Sequence, residues 1–282
     1  VDSVEAPVVR LKNGSVVRVS VENFDLIKDK IEKILFLGDL LVGFGDFLYN
    51  NKPLQRPGIT EEWWNLELKA VVQREFDGNL ERASERTHIP TSRLEAITND
   101  PFENKPSARE AILLASSLKV PLHPCFTYFW ESLSPEDFHY MRRWLLESQI
   151  KVEEDVVQEV IGDLNETVKR SLEKICVPHS VVDNKIKIEN EDALILATCL
   201  GWNVQKLRTT GSKTVQEIIH ELSGVTVLEK APTLVGARMG RPEKAKRREM
   251  RPLVHVLFPA GLAGGAQRNL VEAMNKGGIS VE

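Results

Sequence analysis

Cysteine is scarce in this chain of 282 residues: Cys125, Cys176 and Cys199 are widely spaced, odd in number and form no C-x-x-C pair. That excludes a disulfide framework and a zinc ribbon, fits a reducing cytoplasm, and leaves each thiol to act as a small buried hydrophobe. The six histidines are scattered without an H-x-x-x-H pair, which argues against a metal site built from them. No apolar run reaches the length of a membrane span, and no signal peptide opens the chain, so no membrane partner is expected. Repeats and low-complexity tracts are absent. The formal net charge is only −4, so nucleic-acid binding cannot come from global attraction and needs a local patch. A hydrophobic content of 42% with 28% charged residues is that of an ordinary folded protein with room for two domains.

Such a patch is present. From Ala237 to Asn269 the chain reads ARMGRPEKAKRREMRPLVHVLFPAGLAGGAQRN. Arg238, Arg241, Lys244, Lys246, Arg247, Arg248 and Arg251 are opposed there only by Glu243 and Glu249. An apolar run, Leu253 to Phe258, reads as a buried strand that stops at Pro259 and opens into Gly261, Gly264 and Gly265, with Arg268 beyond. Guanidinium forks hold phosphate oxygens bidentately, and glycines let backbone N–H groups approach an anion with no Cβ in the way. The competing reading is a solvated helix face with i,i+4 pairs. Pro242 and the flanking Met239-Gly240 weigh against one long regular helix and toward a shaped loop. The GLAGG loop lacks the Lys-Ser/Thr of a P-loop and the spacing of a dinucleotide fingerprint.

Taken in order, Ala6 to Val21 predicts a β-hairpin turning at Asn13-Gly14. Phe24 to Asn50 predicts a long helix with a stripe at Ile27, Ile31, Ile34 and Leu35. Asp39 and Asp46 would share a face of that helix roughly 10 Å apart, too far for one metal ion. Glu61 and Glu62 stand in the first turn of the next helix, where the dipole favours them. Trp63 and Trp64 follow; they are either core residues or platforms for base stacking. Asn79 to Thr87 and Thr91 to Ile97, joined by His88-Ile89-Pro90, have a helix-turn-helix outline in which Arg82, Arg86 and Arg93 could reach phosphate. Ser107 opens an amphipathic helix with Glu110 at the capping-box position. Val120 to Ser132 breaks the helical pattern, with Pro121 and Pro124 forcing an extended path and Phe126 to Trp130 reading as a buried strand; Ser134-Pro135 reads as a helix start with Arg142 and Arg143 exposed, and Val152 to Cys176 as a helix kinked at Gly162. Ser180 to Ile188 reads as a strand, Asn190 to Leu200 and Thr214 to Leu222 as helices, and Val225 to Leu228 as a strand; Gln267 to Asn275 reads as a terminal helix.

The basic stretch resembles a segment of the large subunit of the archaeal family D DNA polymerase. Ile31 to Trp64 (IEKILFLGDLLVGFGDFLYNNKPLQRPGITEEWW), Pro121 to Trp130 (PLHPCFTYFW) and the opening EAPVVRLKNGSVV are similar to the same subunit, in the same order. The resemblance implies an internal part of a longer chain, in keeping with a start at Val1 without methionine. It implies a core of double-psi β-barrels, one contributing basic residues and another the metal-binding aspartates. The family's Asn-Ala-Asp-Phe-Asp-Gly-Asp motif does not occur here. The resemblance therefore implies the phosphate-facing half of an active-site neighbourhood, with Lys244 and Lys246 near its basic face. Mg2+ would belong to the parent enzyme, its ligands outside this chain and none bound by this fragment. DNA, a small exonuclease subunit and a sliding clamp are the implied partners.

The expected architecture is α+β. A β-rich, barrel-like portion from 1 to 55 and 225 to 282 would be part of a double-psi barrel, around a mainly helical insertion from 56 to 224. The expected function is contribution of DNA and phosphate contacts to nucleotidyl transfer by Arg238, Arg241, Lys244, Lys246, Arg247, Arg248, Arg251, Gly264, Gly265 and Arg268, with no catalytic residue in this chain. The alternatives are a free-standing helix-turn-helix DNA-binding protein and a phosphate-binding enzyme using the GLAGG loop.

Overall fold

Val8–Leu11 (β1) and Val16–Arg18 (β2) form the expected antiparallel hairpin, with Val9 opposite Val17. Gly14 sits at φ +87° in the turn, and Asn13 Oδ1 accepts from the Ser15 N–H at 3.0 Å, the local bond that makes Asn-Gly a turn. The computed structural model of the chain describes residues 6–36, 38, 41–42, 59, 61–99, 103–204, 213–230 and 256–257. The chain divides into two units: Val1–Pro7, Leu37–Gly58 and Ala231–Glu282 form one, and Val8–Phe36 with Ile59–Lys230 the other. In the first, the described residues show a two-strand antiparallel ladder, Leu41–Val42 with Val256–Leu257.

The long helix expected from Phe24 to Asn50 is not formed in its described part. Val21–Ile27 (α1) is a short helix, closed at its start by a reciprocal capping box between Ser20 and Asn23. After one 3-10 turn the chain becomes strand Ile31–Phe36 (β3), antiparallel to β1. Ile31 and Ile34 are three apart, a helical spacing that puts them on opposite faces of a strand, and Ile34 is 52% exposed. The open edge of β1 decided the outcome, because isoleucines in its ladder gain pairing that a half-exposed helix would not supply.

Four helices follow: Glu61–Phe76 (α2), Leu80–Thr87 (α3), Thr91–Asn99 (α4) and Ala108–Leu118 (α5). They close on a core of Trp64, Leu68, Ile89, Leu94, Ile97 and Leu114. The predicted capping box between Ser107 and Glu110 is in place, and the Asn79 side chain accepts from the Arg82 N–H as a further cap. Each such cap is worth about 1 kcal/mol.

Phe126 to Trp130 is not a strand, and the stretch from Pro121 to Ser132 is irregular. It makes two 3-10 turns, Pro124–Phe126 and Trp130–Ser132, which still bury Tyr128, Phe129 and Trp130. Pro121 and Pro124 lack the N–H that a ladder requires. Helix Pro135–Glu147 (α6), capped by Ser134, leads into the largest departure from expectation. Residues 152–176 are not one helix but the hairpin Gln149–Glu153 (β4) and Val156–Asp163 (β5), then helix Glu166–Lys174 (α7). Glu154 and Asp155 both take positive φ, the backbone of a tight hairpin turn, and β-branched Val156, Val157 and Val160 favour the pleat. A second hairpin, Ser180–Val182 (β6) and Lys185–Glu189 (β7), turns through Asp183-Asn184 in the same way. The resulting antiparallel sheet has the order β4-β5-β7-β6. Helices Asn190–Cys199 (α8) and Val215–Ser223 (α9) complete a second core around Trp130, Phe138, Leu145, Val160, Ile186 and Leu196. Val225 to Leu228 forms no strand, although Val225 and Val227 are buried and Leu122 N–H donates to Thr226 O at 2.8 Å.

The class is α+β. No closed barrel occurs among the described residues, and the four-stranded sheet at 149–189 lies within the segment expected to be mainly helical.

Candidate functional site

Helices α3 and α4 meet through a tight turn. His88 takes the left-handed conformation at φ +57°, its N–H donates to Ser84 O at 2.8 Å, and Ser84 Oγ donates to Ile89 O at 2.6 Å. The helix-turn-helix outline is therefore real, but its arginines face acids of the same chain. Arg93 donates from Nε and Nη2 to both oxygens of Glu110 at 2.8 and 3.0 Å, and from Nη2 to Lys105 O at 2.6 Å. Arg86 pairs with Glu75 at 3.3 Å and lies over the Phe76 ring, while Arg82 is 3.8 Å from Asp77. The exposed positions of α4 are Ser92, Glu95 and Asn99, none of them cationic. Arg93→Ala should therefore act on stability. It removes a bidentate pair and strips Glu110, the α5 capping residue, of its counter-ion. Discounted for partial exposure, a loss of about 2 kcal/mol in urea unfolding is expected.

Arg142, read as exposed, donates to Val204 O at 2.5 Å, and Arg143 lies over the Tyr140 ring. Trp64 is not a stacking platform. It is 0% exposed, and its Nε1–H donates to Pro121 O at 2.7 Å. Trp63 is 44% exposed.

A second constellation escapes a reading of the sequence. Glu61 at the start of α2, His123 before the Pro124–Phe126 turn, and Cys125 inside it bring their ligand atoms within 4.8 Å of one another. Cys125 Sγ donates to Glu61 Oε1 at 2.8 Å, Lys105 Nζ donates to the same oxygen at 3.0 Å, and the Cys125 N–H donates to His123 Nδ1 at 3.3 Å. Burial alone would raise the Glu61 carboxyl. Hydrogen bonds from the Cys125 thiol and the Lys105 ammonium, with the positive field of Lys105, offset that and hold it below its usual value. Burial drives His123 down to about 4, against the pull of Glu61 and with the push of Lys105, so its ring is neutral at pH 7. Cys125 thus departs from the expectation of an inert hydrophobe, whereas Cys176 and Cys199 are buried as expected. The available signal is the His-x-Cys spacing in PLHPCFTYFW, which is uninformative until Glu61 folds against it.

Arg238, Arg241, Lys244, Lys246, Arg247, Arg248, Arg251, Gly264, Gly265 and Arg268 lie outside the described residues, as do Asp39 and Asp46. Of the apolar run Leu253 to Phe258, expected to be a buried strand, Val256–Leu257 stands in a ladder and the rest lies outside the described residues. Mg2+ prefers an octahedral shell of oxygens. Among the described residues the one gathered ligand set is the mixed oxygen, nitrogen and sulfur trio above, which does not suit Mg2+. No helix among the described residues is long and apolar enough to cross a membrane.

Residues 1–282 match the family model described as DNA polymerase II large subunit DP2, central domain. Among curated proteins, the DNA polymerase II large subunit of Methanothermobacter thermautotrophicus is 39% identical over 283 residues, covering 100% of this chain and 24% of the relative. That of Thermococcus kodakarensis is 36% identical, covering 98% of this chain and 16% of the relative. That of Archaeoglobus fulgidus is 36% identical, covering 100% and 23%. The chain thus spans a quarter or less of the length of these relatives. The resemblance carried by four collinear stretches extends over every residue, and the chain belongs to the family of the DNA polymerase II large subunit, of which it is the central domain.

Proposed function

We propose that this domain supplies cationic and backbone contacts to DNA beside the site of nucleotidyl transfer in an archaeal replicative DNA polymerase. The supporting observation is the concentration of Arg238, Arg241, Lys244, Lys246, Arg247, Arg248 and Arg251 in a chain of net charge −4 that matches the central domain from end to end. Those side chains neutralise phosphate charge, Gly264 and Gly265 open backbone N–H groups to it, and Arg268 adds a further fork. In this reading the aspartates and their Mg2+ ions lie elsewhere in the large subunit. The small exonuclease subunit and the sliding clamp are partners of the whole enzyme. The domain alone holds no polymerase chemistry, so the isolated chain incorporates no nucleotide.

The test is Arg238→Glu with Arg241→Glu in the full-length large subunit, assembled with its small subunit. Primer-template affinity should fall at least about tenfold near physiological salt. The log–log salt slope should flatten by about 0.9 for each phosphate no longer neutralised. An unchanged affinity and slope would overturn the proposal. Loss of binding on Arg82→Glu instead would favour the helix-turn-helix reading. Nucleotide binding without DNA would favour the phosphate-binding enzyme.

A further inference from the structure

We propose that Glu61, His123 and Cys125 form a binding site for a divalent transition-metal ion of the zinc class, which clasps the start of α2 to the Pro124–Phe126 turn. A carboxylate, an imidazole and a thiol from segments more than 60 residues apart converge within 4.8 Å. This donor set suits a borderline-soft ion; Mg2+ and Ca2+ take oxygen. Glu61 is 7% exposed, and its Oε2 is buried with no hydrogen-bond partner. A buried carboxylate oxygen left without a partner costs free energy that a cation at this point would recover. His123 is buried, and its Nδ1, which now accepts from the Cys125 N–H at 3.3 Å, would turn that lone pair from the amide to the ion.

The present bonding explains part of the cluster and leaves part of it open. The Lys105 ammonium and the Cys125 thiol both donate to Oε1, and neither satisfies Oε2. The ammonium shows that positive charge is accommodated there. Its side chain is 40% exposed on a flexible stem, so it can swing to solvent when a divalent ion enters. Binding then breaks the Cys125 S–H bond, releases that proton to solvent and forms a metal–sulfur bond. The thiolate and the Glu61 carboxylate together balance the ion's two charges, and water takes the fourth position. A tetrahedral zinc shell separates sulfur and oxygen ligands by about 3.5 Å, inside the 4.8 Å over which the three ligand atoms already lie. The clasp would replace the expectation that this chain binds no metal. It does not depend on the DNA reading.

The experiment titrates the 282-residue chain with Zn2+ by calorimetry and with Co2+ by near-ultraviolet absorption, in two buffers of different ionisation enthalpy. One ion per chain, a thiolate-to-cobalt band and release of a proton are expected. Cys125→Ser and His123→Gln should each weaken binding at least about 100-fold, since even partners outside the ligand shell cost about 10–100-fold. Lys105→Met should tighten it at least about threefold by removing the competing cation. Absence of binding, or Cys125→Ser binding as the parent does, would overturn the site. If Cys125→Ser does not fold, Lys105→Met decides: tighter binding supports the site, and equal or weaker binding ends it.

Discussion

Trp64→Ala is expected to destabilise the larger unit by about 4 kcal/mol, the upper range for removing a fully buried aromatic side chain. Three effects combine. The indole is 0% exposed among Leu68, Ile97 and Leu114 of the α2–α5 core, so its deletion leaves a cavity too well braced to collapse. Its Nε1–H donates to Pro121 O at 2.7 Å, and that carbonyl would be left without its donor. Its ring meets His123 edge-on at a centroid distance of 4.6 Å, so the His123–Cys125 turn would be stripped of a wall. Urea unfolding followed by tryptophan fluorescence checks this. Trp63→Ala, one residue earlier and 44% exposed, should change the midpoint far less. A Trp64→Ala cost below about 1 kcal/mol, or equal costs at the two positions, would contradict the assignment of Trp64 to the core rather than to a base-stacking surface.

Gly162→Ala should cost about 3 kcal/mol, although it adds one methyl group to a strand. A Cβ at this position would lie 2.2 Å from Ser148 Oγ and 2.5 Å from two atoms of the Trp144 ring. Neither neighbour can give way cheaply. Trp144 Nε1–H donates to Asp163 O at 2.9 Å, and Ser148 Oγ donates to Trp144 O at 2.7 Å. Gly162 also pairs with Ile186 in the centre of the sheet, so β5 cannot back away. The diagnostic is a mutant cycle. With Ser148→Ala and Trp144→Ala together as the background, most of the Gly162→Ala penalty should vanish, because the clash is with those two side chains. The same penalty in both backgrounds would mean that the cause is backbone conformation and not steric overlap.

These two positions show where sequence reasoning reaches and where it stops. Gly162 is legible as an oddity, but a kinked helix and a crowded strand predict it equally well. Only Trp144 packed across the sheet distinguishes them. The turns at Glu154-Asp155 and Asp183-Asn184 are weak hairpin signals without glycine, and the apolar residues around them match either period. By contrast, Asn13-Gly14, Ser107 and Ser134 are legible as turn and cap residues. Their hydrogen bonds run to backbone groups two or three residues away, and nothing distant competes for them. Arg93 falls between the two cases. Its charge is visible as a candidate for phosphate, yet its partner Glu110 lies 17 residues on and faces it only because α4 and α5 pack together.

From residue order alone followed the family, the α+β class, the first hairpin, the helix caps and the cationic stretch from Arg238 to Arg251. Each rests on short-range bonding, on composition or on a collinear likeness, none of which needs a third dimension. The tertiary structure alone decided that residues 31–36 and 149–163 join sheets, that Arg93 answers to Glu110, and that Glu61, His123 and Cys125 share one polar nook. The physical reason is that strand pairing, ion pairing and burial are contests between distant segments. Their outcome depends on which edge, which counter-charge and which cavity the rest of the chain leaves within reach.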